Sequence, residues 1–171
     1  MNGLRKLLPA LMLAALCPPA RADYIGDQVA LCEAPLTPEN RQGVIAACSA
    51  VVLFGELPGD IQLPAFVHRG NAYALGADFP HALVDYAIAM DIDARNPDPL
   101  VARGITLLKQ KKFQDAWNDF DAAIALAPRD AVALYGRGLA AQKLGKDGSA
   151  DLAAATALDP GLARFYDDYG L

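Results

Sequence analysis

Between Pro97 and Pro128 the apolar positions fall into two helical stripes separated by a polar turn. Asp98-Pro99 is a helix start, with an acid to cap the first turn and a proline where its missing N–H costs nothing. Leu100, Gly104, Leu107 and Leu108 then keep three- and four-residue spacing. Lys111-Lys112 interrupts them. Phe113, Ala116, Trp117, Phe120, Ala123, Ile124 and Ala127 form a second stripe, which Pro128 stops. The same pattern recurs along the chain. Arg69-Gly70, Arg103-Gly104 and Arg137-Gly138 stand at one constant interval, and each is followed by an acid and a large apolar residue: Asp85-Tyr86, Asp119-Phe120 and Asp151-Leu152. The first two acids share the same offset from their arginine. The third follows its arginine more closely, so the last unit has lost two residues between its helices. Self-similarity at such a period marks stacked helical hairpins, none of which can bury its apolar stripe alone.

These residues resemble the tetratricopeptide repeat (TPR) family. Residues 97–130 match most closely, with Gly104 at the small position of the first helix and Phe113, Ala116, Phe120, Ala123 and Pro128 at the family's aromatic, small and proline positions. Residues 63–96 fit through Gly70, Tyr73, Phe79, Ala82, Tyr86 and Ala89, and residues 131–162 through Gly138, Leu144-Gly145, Ala155 and Pro160. The resemblance implies an all-α protein: a right-handed α-α superhelix, a TPR-like solenoid of three to four helical hairpins. Arginine before the glycine departs from the family, which often has leucine there. Residues at the Arg-to-Asp offset in an antiparallel hairpin can face each other. The spacing therefore predicts interhelical ion pairs Arg69–Asp85 and Arg103–Asp119, with Arg137–Asp151 in the shortened unit. The alternatives are solvated charges, or pairing with the neighbouring repeat.

Cys32 and Cys48 stand at the same offset as Arg69 and Asp85. A degenerate first hairpin is expected within residues 23–62, with a short first helix near Asp27–Glu33, a second starting at Thr37-Pro38-Glu39, and a connecting loop from Gly55 to Pro64. Residues 163–171 would form a capping helix whose Phe165, Tyr166 and Tyr169 cover the last repeat or else fray.

The N-terminus changes the picture of compartment. Arg5-Lys6, the apolar run Leu7–Leu16 and Ala20-Arg21-Ala22 have the three-part layout of a secretory signal peptide over residues 1–22, cleaved after Ala22. The run is too short to span a bilayer, and Leu16 before Cys17 fits a lipoprotein signal poorly. The location implied is periplasmic or secreted. Cleavage would remove three basic residues and no acid, leaving 12 Lys+Arg against 20 Asp+Glu, a charge of −8 instead of −5. An acidic chain argues against nucleic acid as a partner. Two cysteines remain, and an even pair in an exported chain favours a disulfide over two buried thiols.

No catalytic motif is present. There is no nucleophile elbow, zinc-protease signature or phosphate loop, and His68 and His81 stand apart from any nucleophile or metal-ligand spacing. The expectation is a non-enzyme with no cofactor and no metal.

By resemblance, the first helices line a concave face: Val67, Asn71 and Leu75; Val101, Ile105, Leu108 and Lys109; Tyr135, Leu139 and Gln142. Some family members hold a peptide carboxylate with paired lysine and asparagine. Asn71 matches one such place, but Ile105 and Leu139 replace its equivalents, so an apolar peptide or helix suits this face better. The competing expectation is that terminal segments fill the groove. The function implied is a protein–protein interaction scaffold or adaptor of the cell envelope. Accessory subunit of an envelope enzyme complex and self-associating structural module are the alternatives.

Overall fold

The computed structural model describes residues 18–54, 57–168 and 170–171. Most of the expected signal segment, residues 1–17, lies outside the described residues, as do Gly55 and Tyr169. Among the described residues there are nine helices and no strand: α1 (Pro18–Cys32), α2 (Arg41–Leu53), α3 (Gly59–Leu75), α4 (Phe79–Ile92), α5 (Asp98–Lys109), α6 (Phe113–Leu126), α7 (Ala131–Lys143), α8 (Ser149–Leu158) and α9 (Leu162–Asp168). Each packs on the next in sequence. The odd-numbered helices also touch one another in series, whereas the even-numbered ones touch only odd-numbered helices. The result is two layers: α1, α3, α5, α7 and α9 inside, α2, α4, α6 and α8 outside.

The recurrent glycines explain how the layers approach. A Cβ on Gly70 would come within 2.6 Å of the Tyr86 ring, and one on Gly104 within 2.8 Å of Phe120. Phe120 also reaches forward to the next hairpin, where a Cβ on Gly136 would collide with its ring. Tyr86 and Phe120 are fully buried. Each outer-layer aromatic is therefore a wedge between two inner helices.

Three hairpin turns close identically. Ala77, Lys111 and Gly145 occupy the same place in successive repeats, and all have left-handed backbones, with φ of 60°, 59° and 72°. In each, the following N–H bonds back to a carbonyl of the preceding helix at 2.9 Å: Asp78 to Tyr73, Lys112 to Leu107 and Lys146 to Ala141. These are Schellman caps.

The N-terminal hairpin departs from expectation in its helix ends. The first helix is 15 residues long rather than a short stretch near Asp27–Glu33, because Pro18 and Pro19 occupy its first turn, where proline is tolerated. Cleavage after Ala22 would trim it to ten residues. Thr37–Asn40 is a reciprocally bonded turn before α2, not its first turn: Thr37 N–H donates to Asn40 Oδ1 at 2.8 Å and Asn40 N–H to Thr37 Oγ1 at 3.3 Å. The expected loop Gly55–Pro64 is also shorter. α3 begins at Gly59 and carries Pro64 within it, four residues before the repeat boundary placed at residue 63. Cys32 and Cys48 are bonded, S–S 2.11 Å, and join α1 to α2.

Candidate functional site: a half-covered concave face

The layers are registered by arginines. Arg69 donates from Nε and Nη2 to both carboxylate oxygens of Asp85, each at 2.8 Å. Arg103 does the same to Asp119 at 2.7 Å, and Arg137 to Asp151 at 2.7 and 2.8 Å. Two of the three also reach back one hairpin, Arg69 Nη1 to Ser49 Oγ at 3.2 Å and Arg137 Nη1 to Asp121 at 2.6 Å. Own-hairpin and neighbour pairing thus occur together. The carboxylate hydrogen bonds raise all three guanidinium pKa values above the ordinary arginine value. Asp85 and Asp119 are buried, so each needs its partner.

The inner helices then present their free faces. Val67, Asn71 and Leu75 of α3 and Val101, Ile105 and Lys109 of α5 line a cavity of about 440 Å³, closed at the far end by Val132 and Phe165. Its floor is polar and satisfied: the Tyr86 hydroxyl donates to Asn71 Oδ1 at 2.9 Å and lies 3.3 Å from the Thr106 hydroxyl, which donates to the Ala102 carbonyl. Asn71 is therefore engaged with the floor. Asp98 and Asp130 stand at the helix N-terminal rim of the cavity and Lys109 at the opposite one; burial lowers the Lys109 pKa.

Of the remaining expected positions, Tyr135, Leu108 and Leu139 lie against the C-terminal segment. Tyr135 is stacked against Tyr166, centroids 4.9 Å apart, and the Tyr166 hydroxyl donates to the Val132 carbonyl at 2.8 Å. Leu108 and Leu139 share a smaller pocket of about 130 Å³ with Lys111, Phe113, Lys143 and Leu171. Gln142 is exposed and lines neither cavity. The face is thus open over α3–α5 and covered by α9 over α7. The covering had a signal in the aromatic spacing of Phe165 and Tyr166. His68, Thr106 and Val132 also line the open cavity, and no pattern in the sequence marks them as groove residues; His68 and Ala102 share a repeat position, but their side chains have nothing in common that would mark a binding pattern.

Among the described residues no group of three His, Cys, Asp or Glu is placed to hold a metal ion, and no helix is long and apolar enough to cross a membrane.

No family model matches the chain. Tetratricopeptide repeat protein 6 of Homo sapiens is 35% identical over 88 residues, 50% of this chain. The chain spans only 17% of that protein's length. A solved structure of a MamA double mutant (MamA RS-1 ArsTM) superposes with a TM-score of 0.65 at 21% identity, covering 81% of this chain and 76% of the other. The chain therefore resembles tetratricopeptide repeat proteins, in fold over most of its length and in sequence over half of it.

Proposed function

We propose that the protein is an interaction scaffold of the cell envelope that captures an apolar peptide or helix in the open α3–α5 half of its concave face. The observation that carries this reading is the cavity between Val67, Leu75, Val101 and Ile105, whose walls are apolar while its polar floor is already hydrogen-bonded. Such a site gains most from burying apolar side chains, about 1.5–3 kcal/mol for each one fully covered, before the costs of association. The envelope assignment is supported by the signal-like residues 1–22 and by the Cys32–Cys48 bond, a pairing that oxidising compartments favour.

The test is a pull-down from an envelope extract with Ile105→Asp and Leu139→Asp beside the unaltered chain. A recurrent protein partner lost with Ile105→Asp, with the helical circular dichroism unchanged, is the expected result. Leu139→Asp loosens the C-terminal cover and spares that partner. Equal capture by unaltered and Ile105→Asp chains overturns the groove. Mass analysis of the exported chain is expected to begin at Asp23; retention of Met1 in the cytoplasm overturns the compartment.

A further inference from the structure

The chain is acidic, yet its lysines are not dispersed. Apart from Lys6, all of them fall on two equivalent turns of successive repeats: Lys109, Lys111 and Lys112, then Lys143 and Lys146. The stacking of α5–α6 on α7–α8 makes those turns neighbours at one edge of the solenoid. Lys109, Lys111 and Lys143 ring the pocket of about 130 Å³ floored by Leu108, Phe113 and Leu139. The acids on the same turns and following helix starts are Asp115, Asp147 and Asp151. Asp151 is held by Arg137, and Asp147 accepts the Ser149 N–H at 2.9 Å. The edge is therefore net positive on a net negative protein.

We propose that this edge is a second docking surface, for an acidic protein segment that places one aliphatic side chain in the pocket between the lysines. Three features favour that occupant. The pocket has room for about four waters, hence for one aliphatic side chain, and Leu171 already packs into the same apolar cluster from one side. The Schellman caps fix the backbone of both turns, with Lys111 itself at the left-handed position, so the charges are held ready. Complementary charge supplies steering and register. A bilayer suits the edge less well, because none of the large exposed apolar residues, such as Leu53, Val84, Leu126 and Leu158, belongs to these turns. Nucleic acid suits it less well too, because the turns have no arginine and Lys146 sits over the single Trp117 ring, 5.5 Å from its centroid.

Trp117 makes the surface observable. The probe is a short synthetic peptide of Glu and Asp around one Leu, followed by Trp117 emission and by anisotropy of the labelled peptide. Binding is expected to weaken with salt, as the screening length falls from about 10 Å at 0.1 M to about 3 Å at 1 M. Lys111→Glu/Lys143→Glu is expected to weaken it at least about tenfold, with Lys111→Gln/Lys143→Gln between the two. Both lysines are exposed, so the helical signal is expected to stay. Val67→Asp, on α3 in the open groove and outside this pocket, leaves this binding unchanged. The proposal is overturned if the charge reversal has no effect, or if Val67→Asp abolishes the binding. It is equally overturned if phosphatidylserine vesicles or a single-stranded oligonucleotide bind the edge more tightly than the peptide. A self-association of the pure chain that the lysine variants abolish would assign the edge to a second copy instead, and would also overturn it.

Discussion

The Tyr166 ring lies on Tyr135, and its hydroxyl reaches past that ring to the Val132 carbonyl at the start of α7. This one side chain fixes how much of the concave face is free. It is almost wholly buried, and burial raises its pKa. Tyr166→Phe removes only the hydrogen bond and is expected to cost about 1 kcal/mol. Tyr166→Ala empties the site and is expected to cost about 3–5 kcal/mol. It also releases α9, so that a peptide too long for the open cavity gains affinity. Urea unfolding and peptide titration check both. Equal stability of Phe and Ala variants would mean that α9 contributes no packing.

The left-handed turn residues separate backbone cost from packing. A Cβ on Gly145 would meet nothing within 4 Å, so Gly145→Ala is expected to destabilise through conformation alone, by about 1–2 kcal/mol. Ala77→Gly and Lys111→Gly remove the same penalty at the corresponding turns. Each is expected to stabilise by up to about 1 kcal/mol after the added freedom of the unfolded chain is counted, and so to raise the thermal midpoint. Calorimetry of the three variants provides the check, and the signs must be opposite.

Removing Arg69 and removing the Arg69–Asp85 pair are different experiments. Arg69→Leu leaves the buried Asp85 carboxylate unpaired, and a loss of about 3–5 kcal/mol is expected. Arg69→Leu with Asp85→Leu removes both charges and is expected to lose much less. Chemical denaturation of the single and double variants measures the coupling. Equal losses would mean the pair behaves as solvated charges.

Reduction of Cys32–Cys48 opens a closed loop of sequence separation 16 at the end of the stack that has only one neighbour. The chain-entropy estimate for a loop of this size is about 3 kcal/mol. Hydrogen exchange after reduction is expected to speed up in α1 and α2 while α5–α8 stay protected. Uniform acceleration along the chain would contradict a local staple.

Different parts of this architecture are legible to different degrees. Arg-Gly recurring once per repeat, with Asp following at a fixed offset, is a direct readout of hairpin geometry, because both residues must reach across the same interhelical gap. Helix ends in the first hairpin are less visible. Pro18, Pro19 and Pro64 look like breakers, yet proline is tolerated in a first turn, and Pro64 shows that α3 accepts one lost backbone bond where Leu63 and Ala65 are buried around it. Coverage of the groove is least visible. The spacing of Leu162, Phe165 and Tyr166 fits a helix that caps the flank as well as one that lies over Tyr135, and the Tyr135–Tyr166 stacking is fixed in place by the Val132 carbonyl, a backbone group. Backbone acceptors have no residue-type signature.

Phe120 fills the hollow of Gly104 in its own hairpin and that of Gly136 in the next. A cut on either side of α6 therefore empties one of those two hollows. No boundary in this array is a clean seam, and a hairpin lifted out of it carries one aromatic that has lost half of its socket.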